Sequence, residues 1–204
     1  MASIRPYRPE DLDALYRICL LTGDAGKDAS HQFDDPKLLG HVYAAPYAVL
    51  SPETVFVAED EEGVAGYIVG PVDTFAFETQ MEREWWPPLR AQYPLLPDPP
   101  SGRRDARMRA HIHRPPRTPR RISEPYPAHL HINLLPRLQG QGLGTKLIDR
   151  WLDAVRARGA RGAHLGVGEA NARAVGFYSA YGLKEILRTG PPYNVIFFGT
   201  AFDR

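Results

Sequence analysis

Apolar positions along the chain switch between a two-residue and a three-to-four-residue spacing, and each switch marks an element. Ser3–Tyr7 reads as a short strand. Pro9-Glu10-Asp11 opens a helix with Leu12, Leu15, Tyr16 and Cys19 on one stripe and acids in its first turn. Asp34-Asp35-Pro36 starts a second helix running toward Ala45. Thr54–Glu59 and Val64–Gly70 are β-rich runs either side of the polar turn Asp60-Glu61-Glu62-Gly63, which makes them a hairpin. Residues 73–93 carry Phe75, Phe77, Met81, Trp85, Trp86 and Leu89 at helical spacing, and Pro87-Pro88 is expected to end or kink that helix.

The last third is the most regular. His129–Leu135 is a strand, and Leu143, Leu147, Ile148, Trp151, Leu152 and Val155 form one face of a helix. Ala163–Val167 is a strand, Ala172–Tyr181 a helix stopped by Gly182, and Lys184–Arg188 and Val195–Phe198 are two more strands. There is no repeat, heptad array or second core. The order predicts a single α/β (α+β) domain over 1–204, with a mixed, mostly antiparallel central sheet flanked by helices. Between the third and fourth strands, residues 72–127 read as an insertion. Twelve of the chain's 20 prolines fall between 87 and 136, and 103–121 carry eight arginines against the single acid Asp105. The part from 94 to 127 is expected to be a long ordered loop rather than helix or strand throughout.

Composition adds little until it is divided. The 204 residues are 43% apolar and 24% charged, enough for one buried core and unlike a disordered or fibrous chain. The net charge of +1 conceals 7 Lys/Arg against 17 Asp/Glu in residues 1–102, and 18 against 7 in 103–204. A basic second half points to an anionic partner, while a near-neutral total argues against nucleic acid. The acidic first half suggests a cationic acceptor. The single cysteine, Cys19, excludes a disulfide framework and sits among apolar neighbours as a buried small hydrophobe. No apolar run nears the roughly 20 residues of a membrane span, and Met1–Arg8 lacks the apolar core of a signal peptide, so a cytoplasmic protein with no membrane partner is expected.

The sharpest motif is Gln139-Gly140-Gln141-Gly142-Leu143-Gly144, between a strand and a helix. Alternate glycines let backbone N–H groups close on an anion, and the helix N-terminus adds its unpaired donors. A tight turn without ligand would use the same residues. Thr145 stands where a dinucleotide-binding loop needs glycine, and Gly144-Thr145-Lys146 is the wrong order for a Walker loop.

Gln139 to Gly144 does match (Q/R)xxGx(G/A), and Asn171-x-x-Ala174-x-x-Phe177-Tyr178-x-x-x-Gly182-Leu183 follows at a fitting distance. Together with the element order, these resemble the GNAT N-acetyltransferase superfamily over most of the chain outside 72–127. More narrowly, Ala65-Gly66-Tyr67-Ile68-Val69-Gly70-Pro71-Val72-Asp73, a Trp-Trp-Pro helix and Tyr93-Pro94 resemble the acetyltransferase-like domain of the O-GlcNAcase family and its bacterial relatives. That domain is considered a pseudo-acetyltransferase, which implies either transfer or a binding module that keeps the fold.

The superfamily resemblance implies acetyl-CoA as cofactor and an amine of unidentified class as acceptor. Backbone groups of Ile132, Asn133, Leu134 and Leu135 would pair with the pantetheine arm. Amides from Gln139, Gly140, Gln141, Gly142, Leu143, Gly144 and Thr145 would hold the diphosphate. Asn171, Ala174, Phe177 and Tyr178 would complete the site. Asn171 is equally well explained as a helix N-cap. Tyr178 stands where the superfamily places a general acid, and a core tyrosine would occupy the same position.

A lysine-like amine with pKa about 10.4 is neutral about once in 10³ molecules at pH 7, so an acceptor for its proton matters. His129 and His131 are the candidate bases, sharing one strand face with Asn133, and no glutamate stands on that strand. The histidines lack the spacing of a known metal site, and no metal is expected. The Arg103–Arg121 stretch reads either as a lid over phosphate or an acidic substrate, or as a solvated loop. Phe75, Phe77, Trp85, Trp86 and Tyr93 read as core, as an acceptor cleft or as a homodimer surface.

Overall fold

The computed structural model describes residues 2–95, 104–191 and 193–202. The hairpin forms first in the argument because everything else is laid against it. β2 (Phe56–Asp60) and β3 (Gly63–Val69) pair antiparallel, and β1 (Ser3–Pro6) adds to the outer side of β2. α1 (Leu12–Leu21) buries Leu15 and Ile18 against β3, and the next run forms two short helices, α2 (Leu38–Tyr43) and α3 (Ala45–Leu50). The single helix expected toward Ala45 is thus divided at Ala44, whose ψ of −60° comes with a φ of −136°, just ahead of Pro46.

The aromatic stretch also differs from expectation. α4 (Thr74–Gln80) passes through a π-helical turn, Met81–Trp85, into α5 (Trp86–Gln92). Pro87-Pro88 therefore does not end the helix. The prolines sit in the first turn of α5, where an amide would lack a partner anyway, and the wide π turn absorbs the missing bonds. Of the stretch 94–127, residues 96–103 lie outside the described ones. The rest holds α6 (Asp105–His113), which packs on α2 and α5, and the single turn α7 (Arg120–Ser123). Met108, Ile112 and Ile122 are buried, so this segment is helical in large part and joins the core.

The strand expected over His129–Leu135 is broken at Leu130. β4 (Ala128–His129) pairs parallel with β6 (Gly162–Gly168), whereas β5 (His131–Leu134) pairs antiparallel with β3. The result is two four-stranded sheets, β1-β2-β3-β5 and β4-β6-β8-β7, rather than one. β7 (Lys184–Arg188) and β8 (Val195–Ala201) complete the second by antiparallel pairing. The mixed, mostly antiparallel architecture flanked by helices is otherwise as read.

α8 (Leu143–Ala157) buries Leu147, Ile148 and Trp151 against β2 and β3, and α9 (Ala172–Tyr181) follows β6 and ends at Gly182 with φ +100°. The break is pinned at Gly70. Its carbonyl accepts Thr54 Oγ1 at 2.6 Å and Trp151 Nε1 at 3.3 Å, and a Cβ on it would lie 1.8 Å from the His129 carbonyl oxygen.

Gly70→Ala must push backbone against backbone and is expected to cost about 3 kcal/mol in urea unfolding. Gly168→Ala, with nothing within 4 Å of the added atom, should stay within about 0.5 kcal/mol of the parent. Equal losses at both positions would show that the Gly70 approach is not what holds the break.

Candidate active site

Beyond the break, β5 and β6 part. The Leu130 N–H still bonds the His164 carbonyl at 3.2 Å, but from His131 onward β5 pairs with β3 while β6 pairs with β8. The Leu135 N–H bond to the Ala65 carbonyl, 2.8 Å, sets the phase of the β3–β5 ladder. In an antiparallel ladder alternate residues spend both backbone groups on the partner strand. His131, Asn133 and Leu135 do so toward β3; Ile132 and Leu134 therefore turn their backbone groups into the gap. The gap thus offers a short row of strand donors and acceptors.

That row ends on the glycine loop. Gly140 and Gly142 have φ of +74° and +73°, a region that side chains disfavour, so both positions require glycine. Lys146 is the first amide bonded back, to the Gly142 carbonyl at 3.2 Å, and no N–H from Gly140 to Thr145 bonds a described backbone carbonyl. These donors and the positive end of α8 make an anion site. Gln139 holds the loop in place: its Nε2 donates to the Leu134 carbonyl at 2.7 Å and its Oε1 accepts from Arg173 at 2.5 Å. At Gly144 an added Cβ would lie 3.1 Å from the Phe177 ring, so α8 and α9 close together there.

These elements bound a cleft of about 350 Å³, lined by Ile132, Leu134, Gln139, Gly140, Gly142, Gly144, Thr145, Asn171, Ala174, Phe177 and Tyr178, with Leu138 and Arg173. Most of the residues read from the sequence as cofactor-binding therefore meet in one place. Four do not line it. The Asn133 side chain bonds Thr22 at the end of α1, Leu135 is buried in the core, Gln141 turns back to the Arg137 carbonyl, and Leu143 is buried beneath the loop. Asn171 caps α9 by accepting the Ala174 N–H at 3.1 Å, so the capping role and a place in the lining coexist. Tyr178 is buried, makes no hydrogen bond to a described residue and lines the cleft; burial raises its phenol above the ordinary range.

A second cavity, about 200 Å³, lies where β4, β5 and β6 meet the helices α2 to α5. It gathers His129 and His131 with two histidines the sequence reading left aside, His111 and His164. Tyr47 Oη stands 2.9 Å from His129 Nε2 and 3.0 Å from His131 Nε2, and Thr74 Oγ1 stands 2.8 Å from His129 Nδ1. The proton positions follow from the far end of this chain. Thr74 must give its one proton to the Pro127 carbonyl, 2.7 Å away, because a carbonyl can only accept. His129 then donates from Nδ1, Tyr47 donates to His129 Nε2, and His131 donates from Nε2 to Tyr47. His131 Nδ1 is left bare, with no described partner.

Burial is the main reason all four imidazoles stay neutral, and it brings His131 and His111 down to about 4. Neighbouring histidines lower His129 and His131 further, and Arg107 does the same for His111. Among the described residues no three His, Cys, Asp or Glu side chains converge on a metal position.

Comparison with known proteins fits this geometry. The model of the acetyltransferase (GNAT) family matches residues 21–183. The chain belongs to the GNAT acetyltransferase family. Its similarity to the crystal structure of SsHAT is 38% identity over 98% of each chain, with a TM-score of 0.89. Protein O-GlcNAcase of Rattus norvegicus is 27% identical over 98% of the chain, which spans only 22% of that relative's length. YncA of Salmonella typhimurium, solved with its cofactor acetyl-CoA, shares the fold at a TM-score of 0.56 with 17% identity, covering 99% of this chain and 94% of that one.

Part of the charge division is spent inside this GNAT domain. Arg104, Arg117 and Arg137 of the second half pair with Asp24, Glu78 and Asp60 of the first. Of Arg137, Lys146 and Arg173, which flank the loop in sequence, only Arg173 lines the cleft. Tyr47 and Thr74 had no local signal to betray them, since their partner His129 is 82 and 55 residues away.

The histidines also set an acid limit on stability. An unfolded histidine takes up a proton below about pH 6.5, while the folded ones remain neutral until lower pH. Stability should therefore be full above pH 6.5 and fall by about 2 kcal/mol per buried histidine between pH 6.5 and 5 in urea unfolding. A flat profile there would mean the imidazoles are protonated in the fold.

Proposed function

We propose that the protein is an acetyl-CoA-dependent N-acetyltransferase acting on an amine by direct attack. The observation that carries this reading is the gap between β5 and β6, where the Ile132 backbone groups and the Leu134 N–H, turned away from β3, lead to the glycine loop and the start of α8, the Leu134 carbonyl being held by Gln139. A pantetheine arm carries amides that can pair with a strand edge, and its diphosphate suits the loop amides and Arg173. Family membership and a structural neighbour solved with acetyl-CoA support the assignment. Acetyl-CoA supplies an activated acetyl thioester.

The protein's own groups then have distinct tasks. Ile132 and Leu134 orient the arm, and Gly140, Gly142, Gly144 and Thr145 hold its charged end. In the transfer the amine nitrogen bonds the acetyl carbon and the carbon–sulfur bond breaks. His131 Nδ1, bare and fixed through Tyr47, His129 and Thr74, receives the amine proton and passes it to water. Tyr178 remains protonated at every ordinary pH, so it serves as a hydrogen-bond donor to the departing sulfur, which recovers its proton through solvent. His129 is a positioning residue in this scheme, because both its nitrogens are already engaged.

A second reading is an acetyl-CoA-binding module without transfer. The likeness to O-GlcNAcase and the lack of a carboxylate on β5 favour it. No described helix is long and apolar enough to cross a membrane, and a cytoplasmic setting fits the lone buried Cys19.

Titration calorimetry should show acetyl-CoA binding, and thiol release with an amine panel should show turnover. Tyr178→Phe and His131→Gln are each expected to lower turnover by about 10²-fold while leaving acetyl-CoA affinity within about threefold. Binding without any thiol release would establish the module reading, and no binding at millimolar acetyl-CoA would defeat both.

A further inference from the structure

We propose that the second cavity is the acceptor site and that it admits an arylamine, a planar ring bearing an uncharged, weakly basic nitrogen. This rests on the acetyl-transfer reading above and goes past it by naming the substrate class. β5 is common to both cavities: His131, next to Leu130 at the break, lines this one, and Ile132 and Leu134 line the cofactor cleft. The two cavities share no lining residue, and a nucleophile held against His131 is one residue along the strand from Ile132 at the gap.

The walls are rings. Tyr47 and Phe77 stack with centroids 4.7 Å apart and planes 14° from parallel, and Tyr43, Trp86 and Phe197 complete an apolar enclosure. Flat rings bound among aromatic side chains gain offset or edge contacts beyond simple burial. Trp86 is 3% exposed, lines the cavity and donates its indole N–H to no described residue, so one donor is available to a ring substituent.

Charge excludes the alternative. Glu78 is the one carboxylate in the lining, and it is already engaged by the Thr118 N–H at 2.9 Å and by Arg117 at 3.6 Å. An alkylammonium would enter without an unspent counter-ion and would pay its desolvation. It would also have to shed its proton, either to water before entry, which leaves about one molecule in 10³ neutral at pH 7, or inside the cavity to His131. With the imidazole near 4 and an alkylammonium near 10.4, that transfer is unfavourable by about a millionfold. An aniline nitrogen arrives neutral, and its N–H becomes acidic only as the bond to the acetyl carbon forms. A weak, fixed acceptor such as His131 Nδ1 is then sufficient, and the missing glutamate is accounted for. The acidic first half of the chain thus does not supply a cation site here.

The test compares 4-methoxyaniline with 4-methoxybenzylamine and a lysine peptide at pH 7, by thiol release and by calorimetry on the intact protein. The aniline is expected to show kcat/KM at least about 100-fold higher. Arg117→Ala, on an exposed side chain, removes a cation from Glu78 and should raise the benzylamine-to-aniline ratio about tenfold. Equal or better use of benzylamine or the lysine peptide, or failure of the aniline to bind, overturns the assignment. Aniline binding with no thiol release from any amine upholds the cavity's selectivity while overturning the transferase reading.

Discussion

The 3.2 Å bond from the Leu130 N–H to the His164 carbonyl is the last tie between the two sheets along their parallel edge, and both cavities exist because the pairing stops there. Had β5 stayed with β6, the Ile132 and Leu134 backbone groups would be consumed by a ladder. The same continuation would bring the strands to the usual spacing of about 4.8 Å and leave no gap. The parting is enforced from the other side by β3, which takes His131 to Leu134, and by Gly70, which lets the His129 carbonyl come where a side chain would stand. Trp151 and Thr54 lock that glycine's carbonyl, so the core of α8 and the break are mechanically one unit.

The second consequence concerns direction. An imidazole in water presents either nitrogen to a proton, whereas the chain from Pro127 through Thr74, His129 and Tyr47 leaves His131 a single choice. Each member is partnered, which is the condition under which a buried polar network orders a site instead of weakening it. The order is sensitive to its anchor. Replace the Thr74 proton donor and His129 is free to take either tautomer, and His131 with it.

Much of this was legible in the sequence wherever the cause was local. Gly140 and Gly142 announce their positive φ, the stripe from Leu143 to Val155 announces α8, and Asn171 and Gly182 mark the two ends of α9. The first cleft is lined by two short stretches of sequence, 132–145 and 171–178, and its lining was readable for that reason. Where the outcome turned on contacts between distant segments, the reading failed or fell short. The break at Leu130 is decided by competition between β3 and β6 for one strand, which no alternation of residues reveals. Of the two outcomes expected at Pro87-Pro88, an end or a kink, the helix takes a local π-helical distortion and continues, and the arginines of 104–121 turned out to lie partly on a packed helix, with some paired to acids of the first half.

The two cavities divide the electrostatic labour. Donors gather at the loop end, where Arg173, the glycine amides and the α8 terminus face the cleft, while the other end holds neutral imidazoles, phenols and the paired charges of Glu78 and Arg117. That separation suits a ligand whose charge is all at one end. On the proposed reading, phosphates would be held at the loop end and the reacting carbonyl would lie toward buried Tyr178. Buried as it is, a single oriented donor such as the Tyr178 hydroxyl interacts with developing negative charge far more strongly than it would in water. A conventional ionised base beside it would weaken that advantage by repelling the charge that the sulfur must take up. The neutrality of the histidines is therefore consistent with catalysis rather than evidence against it, and it shifts the burden of proton loss onto the nature of the amine.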